Sequence, residues 1–177
     1  MDRLKVVIVG DSFVGKTSFT MRLVNDVFPE KHVPTVSDKS KVDFSFEGFR
    51  FTIDVFDSAG GEDFHRLRHL LYPMTDLFFL CFALNDLTSY NNVVNYWLPE
   101  LRHHQPSVPI ILIGTKSDLE QTVMADCKSL MQSYPKVKIL LRCSAKTASG
   151  VHDIVEAAVA ICLRKRKLKQ KKKCIIL

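Results

Sequence analysis

The chain has 177 residues, 46% apolar and 25% charged, which fits one globular domain with a real core and excludes a disordered chain. The longest apolar run, Leu77 to Leu84, suits a buried parallel strand and is far too short to span a bilayer. The net charge of +6 is concentrated at one end: Arg164 to Lys173 holds eight cations and no acid, so the remainder sums to 6 − 8 = −2. An anionic partner is therefore expected to meet the basic end rather than the body.

In chain order, Lys5 to Val9 is apolar and β-branched and reads as a buried strand. The next eight residues, Gly10 to Thr17, fit G-x-x-x-x-G-K-[ST], and an apolar-periodic helix follows. Strand, Gly-rich turn and helix N-terminus together make an anion site, where backbone N–H groups of Ser12, Phe13, Val14, Gly15 and Ser18 converge and the helix dipole favours negative charge. Lys16 is expected at the β- and γ-phosphates, and the Thr17 hydroxyl at Mg²⁺. Residues 28–38 contain Pro29 and Pro34 and read as an exposed loop. Lys41 to Phe46 and Phe49 to Phe56 alternate around Glu47-Gly48 and predict an edge hairpin. Asp57-Ser58-Ala59-Gly60 then ends the strand, and Glu62 to Leu71 is expected to be a short charged helix or a mobile segment.

Leu77 to Leu84 is the next strand, and Asp86 to His104 is helical in pattern, with a kink or early end expected at Pro99. Val108 to Thr115 is a strand, Met124 to Ser133 a short helix, Val137 to Cys143 the last strand and Val151 to Leu163 the last helix. Alternating strands and helices imply an α/β fold, a mainly parallel sheet covered on both faces, with sites in the loops after the strand C-termini. No signal peptide is expected, because the N-terminal apolar run is only Val6 to Val9. The five scattered cysteines show no metal spacing and point to a reduced, cytosolic chain.

Three further loops carry chemistry. Asp57 is placed to hold a water of the Mg²⁺ shell, and the Gly60 N–H to approach the γ-phosphate. In Thr115-Lys116-Ser117-Asp118-Leu119, the Asp118 carboxylate can accept two N–H bonds from the edge of guanine, while adenine presents the wrong donors. The Lys116 stem can lie against the base. Cys143-Ser144-Ala145-Lys146 would supply backbone contacts to the guanine oxygen.

These four loops, in this order and context, resemble those of small GTPases of the Ras superfamily, over nearly the whole chain. Within the superfamily, Phe28-Pro29, Val33-Pro34-Thr35-Val36, Glu62 to Arg68 before Leu71-Tyr72-Pro73, and Trp97-Leu98-Pro99-Glu100-Leu101 most resemble the Rho family. The resemblance implies a P-loop G domain over residues 1–163 with a six-stranded, mainly parallel sheet. It also implies GTP/GDP and Mg²⁺ as ligands, with Lys16, Thr35, Gly60 and Gly61 at the reacting phosphate. Phe28 would pack edge-on against guanine, and Thr35 would ligate Mg²⁺. Residues 28–38 and 59–73 become switches I and II, ordered by the γ-phosphate and read by effectors. Exchange factors, activating proteins and prenyl-binding dissociation inhibitors are the implied regulators, with no nucleic-acid partner.

The chain departs from the Rho pattern in four places. Gly61 stands where the family usually has the glutamine that orients the attacking water. Ser12 replaces a glycine that leaves room for that glutamine and for an arginine finger. Asp118 to Ser144 is too short for the extra Rho helix, and His32 and Ser37-Asp38 replace usual effector-facing residues. The first two predict slow hydrolysis. A GTP-loaded binding module with negligible turnover is the alternative, and a P-loop kinase or ATPase is disfavoured by Thr115-Lys116-Ser117-Asp118.

Cys174-Ile175-Ile176-Leu177 is C-a-a-X with a terminal leucine, which favours geranylgeranylation of Cys174. One lipid chain binds membranes marginally, and the adjacent polybasic run supplies the second signal. Residues 164–177 thus read as a prenylated tail. It would hold the protein at the cytoplasmic face of the plasma membrane or endomembranes, with a cytosolic pool. His65 and His69, spaced i, i+4, are read as a solvated face rather than half a metal site.

Overall fold

The computed structural model describes residues 2–29, 37–123 and 127–174. Six strands form one sheet in the order β2-β3-β1-β4-β5-β6. They are β1 (Asp2–Val9), β2 (Ser37–Phe46), β3 (Phe49–Ser58), β4 (Leu77–Ala83), β5 (Ile110–Thr115) and β6 (Val137–Arg142). Only the β2–β3 hairpin is antiparallel; the other four pairings are parallel. The helices are α1 (Lys16–Asn25), α2 (His65–His69), α3 (Leu87–Asn92), α4 (Leu98–His104), α5 (Cys127–Ser133) and α6 (Val151–Cys174). A 3₁₀ turn, Glu62–Phe64, leads into α2, and a π-helical segment, Val93–Trp97, joins α3 to α4.

The central strands are apolar on both faces because each face is covered. Every residue of β4 is buried. Its side chains alternate: Leu77, Phe79 and Cys81 join the core under α1 and α6, while Phe78, Leu80 and Phe82 join the core under α3 and α4. β2 sits at the outer edge of the sheet with alternating exposure.

Some boundaries differ from the sequence expectation for identifiable reasons. β2 starts at Ser37 rather than Lys41, because its pairing with β3 runs out to Ser37 opposite Ser58. Ser37 and Asp38 are therefore strand, not loop. Asp57 and Ser58 likewise lie inside β3 rather than after it. Pro99 neither ends nor truncates its helix, which continues to His104. Proline lacks the N–H that would continue the ladder, and the adjustment falls just before it: the Leu98 N–H bonds to the Val93 carbonyl, five residues back. Finally, α6 continues to Cys174 instead of ending at Leu163. The helix expected over Met124 to Ser133 begins, among the described residues, at Cys127. No helix among the described residues is long and apolar enough to cross a membrane.

Candidate functional site

The loop after β1 wraps the N-terminus of α1. Gly15 precedes the helix in the left-handed region at φ 98°, and no described side chain caps the first turn. The first N–H groups of α1 therefore face the loop, as an anion site requires. Lys16 is buried beneath it, and its Nζ donates to the Gly10 and Asp11 carbonyls at 2.9 and 2.7 Å. Burial pushes the Lys16 pKa below its ordinary value, opposed by the Asp57 carboxylate. Phe13 has φ 64° and projects into solvent, so only its backbone can serve a phosphate.

Beside Lys16, the Thr17 Oγ1 donates to Asp57 Oδ2 at 2.6 Å. The other oxygen, Asp57 Oδ1, is buried with no hydrogen-bond partner among the described residues. Burial raises the Asp57 pKa, although the Thr17 hydroxyl and Lys16 oppose the shift. A buried, unsatisfied carboxylate oxygen is costly. Next to a threonine hydroxyl it forms an all-oxygen donor set suited to a hard cation such as Mg²⁺.

Gly60 follows directly. A Cβ on Gly60 would lie 2.4 Å from Ser12 N and 2.5 Å from the Gly10 carbonyl, so only glycine permits this contact between the two loops. Gly61 differs. Its φ of −72° suits any residue, and an added Cβ would meet only the Phe64 ring, at 3.4 Å. Neither backbone strain nor crowding demands a glycine there.

A cavity of about 330 Å³ opens on the far side of the loop. It is lined by Gly15, Ser18, Phe19, Phe28, Thr115, Lys116, Asp118, Leu119, Cys143, Ala145 and Lys146. Its walls are cross-tied: Thr115 Oγ1 donates to the Val14 carbonyl, Ser117 N–H to the Cys143 carbonyl, and Arg22 Nε to the Ala145 carbonyl. Phe28 and Asp118 stand exposed at its rim. Volume, apolar lining and a rim carboxylate suit a planar base.

The sequence pattern of the Ras family matches residues 5–164, a span that contains the loop, the cation corner and the cavity. The chain belongs to the Ras family. It is also similar to the Ras-like GTP-binding protein RhoL of Drosophila melanogaster, at 37% identity over 98% of this chain and 94% of that protein. Ras-family proteins are small GTPases that bind GTP or GDP with Mg²⁺, and the oxygens of Thr17 and Asp57 fit that metal.

Ser144 is fully buried and its Oγ accepts from the Thr147 N–H, closing a local turn. Its side chain does not line the cavity, whereas Cys143 and Phe19 do, and Phe19 carried no such expectation. Burial pushes the Cys143 thiol up to about 12, so it meets a ligand as a neutral apolar group. Thr35 lies outside the described residues, as do positions 30–36 of switch I and 175–177 of the C-a-a-X motif.

The sequence also gave no sign of how this site is braced. Asp11, in the phosphate loop, accepts from Asn92 Nδ2 and Trp97 Nε1, both at 2.7 Å. Trp97 is both buried packing and a hydrogen-bond donor to the loop. The Arg68 guanidinium lies 4.4 Å from the Trp97 ring centroid. It donates to Glu100 through Nε and Nη2 at 3.2 and 2.9 Å, to Tyr96 Oη at 2.9 Å, and to the Ala59 and Gly61 carbonyls at 3.2 and 3.3 Å. Tyr72 completes the shell by donating to Glu100. Burial alone would raise the Glu100 pKa, but these donors outweigh it and hold the carboxyl below its usual range. His69 and His104 stack beside this cluster, with ring centroids 3.9 Å apart. His69 is thus turned toward α4 rather than standing on a solvated face.

Proposed function

We propose that this Ras-family protein is a Rho-like GTP/GDP switch with slow intrinsic hydrolysis, tethered to membranes through residues 164–177 and acting on the actin cytoskeleton. In this reading Lys16 holds phosphate charge, Thr17 and Thr35 hold the metal directly, and Asp57 holds it through water. Held by these oxygens, Mg²⁺ would supply charge neutralisation for the bound phosphates. Gly60 N–H faces the γ-phosphate. Phe28, Lys116, Asp118, Leu119 and Ala145 with Lys146 hold guanine. Effectors read residues 28–38 and 59–73, and geranylgeranylated Cys174 with the basic run meets an anionic leaflet. The Rho motifs quoted above and the likeness to RhoL support the subfamily.

The observation that carries the slow-hydrolysis reading is the open position of Gly61. The backbone there accepts a side chain, and an added Cβ meets only the Phe64 ring among the described residues, so the missing glutamine is a chemical deficit rather than a steric compromise. Single-turnover GTP hydrolysis by the wild type and Gly61→Gln tests it. The variant should be faster, on the order of 10²-fold if water positioning is what is missing. Equal rates would refute the reading. The alternative, a GTP-loaded binding module, requires that neither protein turns over while both retain nucleotide.

A further inference from the structure

A second and larger cavity, about 740 Å³, lies at the opposite sheet edge from β2, between β6 and α6. It exists because β6 is the last strand and the facing turns of α6 present only methyl groups at Ala157 and Ala160. Ile139 and Ile161 complete an apolar floor. Its rim is cationic: Lys136 and Lys138 from the strand side, Arg164 and Lys165 from the helix. Among the described residues no acidic side chain lines it. Lys138 Nζ donates to the Pro135 carbonyl at 2.6 Å, which holds that ammonium over the strand end.

We propose that this groove seats an anionic phospholipid, its headgroup phosphate on the four rim cations and its glycerol and first methylenes on the alanine–isoleucine floor. Two features select a lipid over a soluble anion. An apolar floor adds nothing to phosphate binding but matches an amphiphile. The rim is also continuous with the basic run, since Arg164 and Lys165 are its first two cations and α6 carries it onward without a break. The proposal rests on the membrane reading of that run, and extends it: the folded body, not the tail alone, contacts lipid, and α6 lies along the bilayer.

The test is co-sedimentation of the full, unprenylated chain with vesicles of phosphatidylcholine, alone or with about one-fifth phosphatidylserine. Three variants are compared: Lys136→Gln with Lys138→Gln, Ala160→Trp, and Lys171, Lys172 and Lys173 all to Gln. GDP binding and the thermal midpoint check each fold. Loss of two rim cations should weaken binding to anionic vesicles on the order of tenfold with the tail intact. Ala160→Trp should weaken it too, although charge is unchanged. If both groove variants bind like wild type while the tail variant does not, the groove proposal fails and the tail reading stands. If the tail variant also binds like wild type, the tail reading itself fails. If Ala160→Trp does not fold, Ala160→Leu replaces it. Competition by soluble glycerol phosphate that equals that of vesicles, or by an acidic peptide, would replace the lipid with that ligand and overturn the proposal.

Discussion

Replacing Glu100 by glutamine removes the only carboxylate among the described residues that hydrogen-bonds Arg68, while keeping shape and volume. The Arg68 side chain is 0% exposed and that of Glu100 is 9% exposed. In the wild type both Glu100 oxygens accept from the guanidinium. Glutamine keeps one acceptor, and its amide N–H₂ would face an Arg68 donor. Removing one partner of a buried pair costs about 3–5 kcal/mol, largely because the other charge stays buried. Against a total stability of about 5–15 kcal/mol for a domain this size, that is a large fraction, and it corresponds to a midpoint lowered by roughly 10 °C. Trp97 is the single tryptophan and lies against the guanidinium, so its fluorescence in a urea titration reports the perturbed region directly. The double variant Arg68→Met with Glu100→Leu should recover most of the loss, since an apolar pair leaves no uncompensated charge. A Glu100→Gln protein within about 1 kcal/mol of wild type would refute the view that this pair is desolvated.

Asp57→Asn should leave the magnesium-free protein as stable or more so, because a raised carboxyl pKa means the native state disfavours the charge at neutral pH. The same change should weaken Mg²⁺-dependent GDP retention about tenfold or more, read by fluorescent-nucleotide release with and without EDTA. Acid sensitivity should centre on Glu100. Its folded pKa is lowered, so its contribution is present above the ordinary glutamate value and is lost as pH falls below that value through the folded one. Glu100→Gln should flatten that limb of the stability–pH curve, and an unchanged slope would sink the assignment. Asp118→Ala should lose discrimination between GTP and ATP, on the order of 10⁴-fold in relative affinity, measured by competition.

The phosphate loop, the Asp57 corner and the Thr115–Asp118 wall were legible because each is a short string whose chemistry depends on adjacent residues. The mainly parallel sheet with its edge hairpin followed from alternating elements and one tight turn. What stayed hidden depends on distant partners. Nothing near Asp11 in the chain announces Asn92 or Trp97, and nothing near Arg68 announces Glu100. The length of α6 was readable in hindsight: apolar periodicity stops near Leu163, but lysine, arginine, leucine and glutamine are all strong helix formers.

The π-helical segment sets a length rule for the region. Asn92 and Trp97 are five residues apart, and on a regular α-helix their side chains would diverge by roughly 140°. With the Leu98 N–H bonded five residues back, one turn holds an additional residue and the two side chains fall together on Asp11. The extra residue and the π turn compensate for each other. Deleting one of residues 93–96 would leave Asn92 and Trp97 four positions apart, about 40° from each other on a regular α-helix, so the brace on Asp11 would be kept. Ordinary winding at unchanged length would instead swing Trp97 away from the phosphate loop. An unbroken α-helix one residue shorter would therefore serve in place of this stretch, provided that it carries both bracing residues.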